Sequence, residues 1–486
     1  MKVESESATG RPPVVRTKST ATGRSPAESL GSSVASVALS MLPTSSSARF
    51  VACAPGRLDL MGGLADYSGA LVVNKTIDAH VAAAVERRTD GKLQILLSPS
   101  LVSERGGLVI PLGRLNELKH VGSDLSSDNG RAAVRSEPIR CLTAAVAEWL
   151  PCSSARRLEG GLTIAVDSSL EEFSDAGRDA ALAAATVTAV SAAYGESLSL
   201  DCASSICERV ENQWLGRGVG RGDSAGILGG HPSSVMLWRT DAIAEVGKLS
   251  LASGIAVIGI DSGVCPEDAT DKRCRVRAAV LMGRQLIDAI VRHEGAGSIP
   301  WDGHLSRVSI DDYVTRFRDR LPTRLKGGEY LQRFGETNDP NTRVEPEFTY
   351  KIRSRTEHHI YEHHRSCQFS DCLRQAASGD ELALLEAGKV MYASHWSYGQ
   401  RCGLGSVQTD ALVTLIRRQG PKEGLFGAKI TGRGCGGTVA VLMRDDQRAR
   451  DALDEIMGEY RLRTGRKATL VTGSRCGALV GGARVC

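Results

Sequence analysis

Three stretches of this 486-residue chain place chemically capable residues at close spacing. The first runs Ala54-Pro55-Gly56-Arg57-Leu58-Asp59-Leu60-Met61-Gly62-Gly63-Leu64-Ala65-Asp66-Tyr67-Ser68-Gly69, with one arginine and two aspartates among glycines. A carboxylate in such a loop can accept two sugar hydroxyls, and an arginine can neutralise charge on a transferring phosphoryl group. An ordinary surface turn carries the same residue types. The second runs from Gly427 to Thr438, with glycines at 432, 434, 436 and 437 just before an apolar strand. Glycines let backbone approach a ligand closely, and their free N–H groups suit phosphate or a sugar edge; a tight hairpin is the plainer reading. The third, Gly216 to Gly226, sets Asp223 among glycines and arginines, as a general base or an electrostatic anchor.

The elements that must position these residues follow from apolar pattern. Arg49 to Ala52 reads as a short strand broken by Pro55-Gly56. Strands are expected at Leu71–Val73, Val81–Val85, Leu93–Leu97 and Leu162–Val166. An Ala-rich helix follows over Ala180–Tyr194, with Gly195 as its C-terminal cap. A strand at Ile255–Ile260 opens a second half, with helices near Val276–Val291 and Asp380–Tyr392. A strand at Thr438–Leu442, a helix with Ala449, Ala452, Leu453, Ile456, Met457 and Tyr460 on one face, and a strand at Ala468–Thr472 close the chain. That strand–helix–strand unit is typical of ferredoxin-like α+β layers. Residues 1–48, rich in Ser, Thr, Ala, Gly and Pro, are expected to be disordered. The domains are expected at 49–253 and 254–486.

Hydrophobic residues make up 42% and charged residues 24%, within the range of globular proteins, and aromatics only 4%, so the core must rest on Ala, Val, Leu and Ile. A net charge of +4 gives no reason to expect nucleic acid or a membrane as partner. No run is long and apolar enough to span a bilayer, and the N-terminus shows no signal pattern. Thirteen scattered cysteines without a CxxC pair read as reduced thiols of a cytoplasmic protein. His358, His359, His363 and His364 lack metal-ligand spacing. Ser394, His395, Ser397 and Asp410 only superficially suggest a hydrolase.

Together the three stretches resemble the GHMP small-molecule kinases, on their galactokinase branch and with the pattern of L-arabinokinase-like proteins. Gly56-Arg57 and Asp66-Tyr67 match the branch's opening motif, with Gly63-Leu64 in place of its Glu-His pair. Val210-Glu211-Asn212, Gly259-Ile260-Asp261-Ser262-Gly263, Met282-Gly283-Arg284 and Gly427-Ala428-Lys429-Ile430-Thr431-Gly432 add to the match, which runs from about residue 49 to 480. The resemblance implies an α+β, two-domain fold with a ribosomal-S5-like N-terminal domain and a ferredoxin-like C-terminal domain. It implies ATP and Mg²⁺ as cofactors, a monosaccharide as partner, and transfer of the γ-phosphoryl group to the anomeric hydroxyl. By the same match, Asp223 is the catalytic aspartate and Arg57 its phosphate-facing companion. Asp66, Tyr67, Asp59 and Gly434 fall to the sugar, and Gly432 and Gly436 to the nucleotide phosphates. Phosphoryl transfer needs mainly positioning and charge neutralisation, so a sparse set is adequate.

One motif departs. Where the family has a Ser-rich loop at a helix N-terminus, this chain has Asp175-Ala176-Gly177-Arg178-Asp179-Ala180. Gly177, Arg178, Asp179 and Ala180 are the expected phosphate-binding residues, with Arg178 able to pair with phosphate and Asp179 able to ligate Mg²⁺. Glu171, Glu172, Asp175 and Asp179 oppose a polyphosphate at roughly 4 kcal/mol per contact before screening. A non-catalytic sugar-binding protein on the same scaffold is the alternative.

Overall fold

The computed structural model describes residues 27–44, 47–102, 107–115, 136–153, 160–264, 269–295 and 299–486. Part of the stretch expected to be disordered is helical: Ala27–Met41 forms α1. Val34, Ala38 and Leu42 recur at helical spacing and pack on Val51, Ala82, Ala84 and Ala165. These few apolar residues lie in a Ser- and Ala-rich background, so the period is faint in the sequence. Residues 1–26 of that stretch lie outside the described residues.

The strands are β1 (Arg49–Met61), β2 (Leu71–Arg88), β3 (Lys92–Leu97), β4 (Gly107–Pro111), β5 (Gly161–Ser168), β6 (Val235–Arg239), β7 (Ala244–Leu249), β8 (Ile255–Asp261), β9 (Leu325–Lys326), β10 (Thr349–Tyr350), β11 (Leu425–Ile430), β12 (Thr438–Arg444), β13 (Thr469–Val471) and β14 (Ala483–Val485). The first sheet has the order β14-β1-β2-β5-β3-β4, with β6 on β2 and β7 on β6. Alternation along β2 sets its two faces: Val81, Ala83 and Val85 enter the main core, while Ala82 and Ala84 meet α1. The two strands expected around residues 71 and 85 are one, and Pro55-Gly56 does not end β1. Instead the β1–β2 register shifts between Pro55 and Arg57 and again between Asp59 and Met61. These irregularities re-aim the side chains of this stretch, as bulges do near active sites.

Among the helices, α2 (Glu137–Trp149), α3 (Arg178–Ala193), α4 (Leu200–Arg209), α5 (Gly222–Gly229) and α6 (Ala269–His293) precede α7 (Ile352–Ala377), α8 (Leu382–Ser397), α9 (Val407–Gln419) and α10 (Gln447–Thr464). Alanine dominates α3, which lets it lie close against the first sheet, buried along nearly its whole length. Gly177 (φ 86°) precedes it, and Gly195 (φ 69°) follows its end. The second sheet, β11-β12-β8-β13, is antiparallel throughout. Its core joins Ile260, Val439 and Val441 to Leu412 and Ile416 of α9 and to Leu453 and Ile456 of α10.

The expected division at residue 254 separates the two sheets, yet the chain crosses it twice. β14 returns to pair with β1, and Phe369, Leu373, Leu384 and Met391 of α7 and α8 share the first sheet's core. The architecture is α+β with two structural domains. Among the described residues no helix is long and apolar enough to cross a membrane, and every cysteine there is a free thiol.

Helix α8 lies on β11 backbone to backbone. A Cβ on Gly388 would stand 1.9 Å from the Phe426 carbonyl oxygen, and one on Gly427 would stand 2.4 Å from the Gly388 Cα. Gly388→Ala should therefore lower unfolding free energy by about 1–3 kcal/mol, although alanine is favoured by about 1 kcal/mol in an open helix. Denaturant unfolding of the two proteins reads the difference.

Candidate active site

The bulged segment of β1 points Arg57 into the protein, where it is fully buried. Its Nε and Nη2 donate to the two carboxylate oxygens of Asp223 at 2.6 and 2.5 Å. Its Nη1 donates to the Asp175 carbonyl at 2.7 Å. Asp223 stands in the first turn of α5. Burial pushes its carboxyl up, but Arg57, helped by Arg433 and Arg273, brings it below the ordinary carboxylate range. The site's aspartate is therefore an anion at neutral pH.

Asp66 and Tyr67 lie on the short helical turn Gly63–Ser68. The Asp66 carboxylate accepts the Gly222 N–H at 3.1 Å and the Tyr67 N–H at 2.6 Å. Burial, followed by the Asp223 charge, moves its titration up to about 7. The Tyr67 hydroxyl meets His359 Nε2 at 2.8 Å, and the Arg277 guanidinium lies 4.9 Å over its ring. Asn212, in the π-helical turn after α4, accepts the Val219 N–H at 2.7 Å and donates to the Val219 carbonyl at 2.9 Å. It thereby fixes the glycine loop before α5. These parts enclose a narrow cleft of about 310 Å³, open mouth included. Gly63, Leu64, Asp66, Tyr67, Asp223, Arg273 and Arg433 are among the residues that line it.

The segment before α3 is stitched across the domains. Ser174 donates its N–H to Asp261 at 2.8 Å, and Thr438 Oγ1 donates to the Ser174 carbonyl at 3.0 Å. Asp175 takes a left-handed conformation (φ 62°). Its carboxylate accepts the Arg433 N–H at 2.9 Å and Arg273 Nη2 at 3.3 Å. A side-chain anion thus sits on the Gly432–Gly437 loop. Gly432 (φ 60°) and Gly436 (φ 125°) supply its turns, and the Gly432 carbonyl accepts the Tyr398 hydroxyl at 3.1 Å.

Gly177, Arg178, Asp179 and Ala180 do open α3, as the sequence predicts, but their side chains are engaged with each other and their neighbours. Arg178 bonds Asp179 at 3.0 Å, Glu171 at 3.3 Å and Glu137 at 3.0 Å. Arg178 occupies one Asp179 oxygen, and Arg217 Nε the other at 2.8 Å. Burial raises the Asp179 carboxyl, and Arg178, Arg217 and Arg433 outweigh it, bringing it down to about 2. Asp179 therefore offers no free oxygen to Mg²⁺, and Arg178 no free fork to phosphate. Among the described residues no cluster of three or more His, Cys, Asp or Glu side chains could hold a metal ion. Asp179, so engaged, does not fit the Mg²⁺-ligand role the sequence suggests.

Two expected sugar ligands also sit elsewhere. Asp59 is fully buried, accepting Lys429 Nζ at 3.2 Å and the Gly63 N–H at 3.0 Å. It holds the turn that carries Asp66 instead of facing the cleft. The Gly434 carbonyl accepts Arg273, and a Cβ there would stand 2.7 Å from the Leu404 carbonyl oxygen. The histidines of α7 are packing and hydrogen-bonding groups: His358 contacts Ser397 and His363 accepts the Leu71 N–H. Ser394 donates to Glu362, not to His395.

The sequence reading missed Arg433, Arg273, Glu211 and Lys429 as members of the site. The signal for Arg433 was present, since a large cation interrupts a glycine run whose other members are there for close approach.

With this geometry in hand, comparisons place the chain. A family model, the galactokinase galactose-binding signature, matches residues 44–87. The chain is 28% identical over 481 residues to an L-arabinokinase of Arabidopsis thaliana, the match covering 88% of this chain and 46% of that protein. It thus spans about half the length of that relative. A galactokinase of Mycobacterium bovis is 25% identical over 408 residues, 83% of this chain and 91% of that one. In fold, the chain superposes on Lactococcus lactis galactokinase complexed with galactose with a TM-score of 0.69 at 16% identity, covering 94% of this chain and 99% of that one. The chain is thus similar in sequence to an L-arabinokinase and to galactokinases, and in fold to a galactokinase.

Lys429→Met leaves the Asp59 carboxylate buried without its cation and should cost about 3–5 kcal/mol of stability. The double variant Asp59→Asn/Lys429→Met should recover most of that loss, as read by chemical denaturation.

Proposed function

We propose that the chain is an ATP-dependent sugar 1-kinase that acts in the cytoplasm. Its first domain would be ribosomal-S5-like and its second ferredoxin-like. The observation that carries this reading is the Arg57–Asp223 pair, whose aspartate lines the cleft together with Asp66 and Tyr67. Asp66 accepts sugar hydroxyls. Asp223 orients or deprotonates the anomeric hydroxyl, and Arg57 keeps it ionised. Mg-ATP is the donor substrate. The L-arabinokinase and galactokinase relatives support a monosaccharide acceptor.

A second reading, a sugar-binding protein without catalysis, is favoured by one observation. The Asp175 carboxylate already holds the Arg433 N–H and Arg273, where polyphosphate would need cations.

Purified protein incubated with Mg-ATP and L-arabinose, galactose or related aldoses should release ADP, and Asp223→Ala should reduce release to background. Sugar binding without nucleotide binding in a titration, with and without Mg²⁺, would favour the second reading. No binding of any sugar would overturn both. Because Asp66 titrates near 7, it is protonated below that pH and loses acceptor strength. Sugar affinity should fall as pH drops from 8 to 6, by at most about tenfold per unit. In Asp66→Asn the slope should vanish.

A further inference from the structure

Arg433 and Arg273 are held in the cleft with their donors only partly used. Arg433 Nε stands 3.6 Å from Asp175 Oδ1, and its Nη1 3.8 Å from Glu211 Oε1. These distances give charge attraction without a directed hydrogen bond. Nε and Nη1 of Arg433 and Nε of Arg273 are buried with no hydrogen-bond partner. A buried donor without a partner is costly, so three in one place call for an occupant that supplies oxygens. Both arginines line the same cleft as Asp66, Tyr67 and Asp223.

The carboxylate nearest these donors is Asp175. It keeps the Arg433 N–H and one Arg273 nitrogen, but it leaves the three remaining donors unfilled. A tetrahedral oxyanion has more acceptor oxygens than a carboxylate and can take donors from two forks at once. Glu211 offers little opposition, because burial, ahead of the Asp179 charge and against Arg433, raises its titration to about 8 and leaves it mostly neutral at pH 7.

We infer that Arg273, Arg433 and Asp175 form an anion-exchange site within the sugar cleft, in which a phosphate group carried by a monosaccharide displaces the Asp175 carboxylate. The ligand held most tightly is then a sugar monophosphate, not the free sugar. This inference rests on the sugar-site reading above and deepens it, since it names the ligand class the cleft prefers. No bond is made or broken in the exchange.

Calorimetry on the full chain tests it, using galactose, galactose 1-phosphate, L-arabinose, L-arabinose 1-phosphate and inorganic phosphate as probes. For each sugar that binds, its phosphate should bind at least about tenfold more tightly, as expected for charge-assisted hydrogen bonds, and more tightly than inorganic phosphate. Arg433→Gln should erase that preference. Arg433→Lys, which keeps the charge but not the fork, should restore part of it. Asp175→Asn removes the resident anion at a position where asparagine tolerates the left-handed backbone, and should tighten sugar phosphate binding. Thermal melts confirm that each variant is folded. Equal affinity for a sugar and its phosphate overturns the exchange site and leaves the sugar reading standing. Binding of neither overturns both. Weaker sugar phosphate binding in folded Asp175→Asn also contradicts the exchange.

Discussion

Arg57 carries a charge where water does not reach, so its guanidinium has to be met by oxygens that the fold fixes in place. Asp223 supplies two and the Asp175 main chain a third. Removing one partner of such a buried pair costs about 3–5 kcal/mol, because the other charge is left bare. Asp223 lies 166 residues from Arg57 in the chain, and Asp175 lies 118 residues away. That one requirement ties the first strand, the approach to α3 and the start of α5 to a single point. The register shifts in β1 and the positive-φ backbone at Asp175 and Gly177 are the local adjustments that meet it.

Around that point the acidic residues of the phosphate loop find internal partners. Asp179 is enclosed by Arg178 and Arg217, and Asp175 by Arg273 and the Arg433 backbone. Bare repulsion of a polyphosphate, as the sequence suggests, is therefore replaced by competition: a phosphate must displace a carboxylate to reach an arginine. The loop before α3 thus holds an ion network, and Arg433 in the glycine loop meets it from the opposite side. Glycine at 433 would leave Asp175 with Arg273 as its remaining guanidinium.

Much of the fold was legible in the sequence. The Ala-rich helix, the closing strand–helix–strand unit and β8 stand where apolar periodicity puts them, with ends displaced by a few residues. The failures have specific causes. Pro55-Gly56 signals a break, yet β2 absorbs it by a register shift. The apolar spacing of α1 is carried by small residues in a Ser-rich background. β14 is a three-residue strand whose only reason to form is the free edge of β1. Asp223, Arg57 and Asp66, named from motif and chemistry, do come together: Arg57 pairs with Asp223, and Asp66 and Asp223 line one cleft. Asp59 was misread because spacing alone cannot show that Lys429, 370 residues away, would bury it. Asp179 was misread as a metal ligand because its neutralising partner Arg217 comes from a distant loop.

A crystal structure of the protein grown with galactose 1-phosphate or L-arabinose 1-phosphate tests the central claim most directly. The account predicts the sugar ring between Asp66 and Asp223, the Arg57–Asp223 pair intact, and the phosphate within hydrogen-bond distance of Arg273 and Arg433 with the Asp175 carboxylate turned away. A sugar bound outside this cleft, or a phosphate seated elsewhere while Asp175 keeps its two partners, would contradict it.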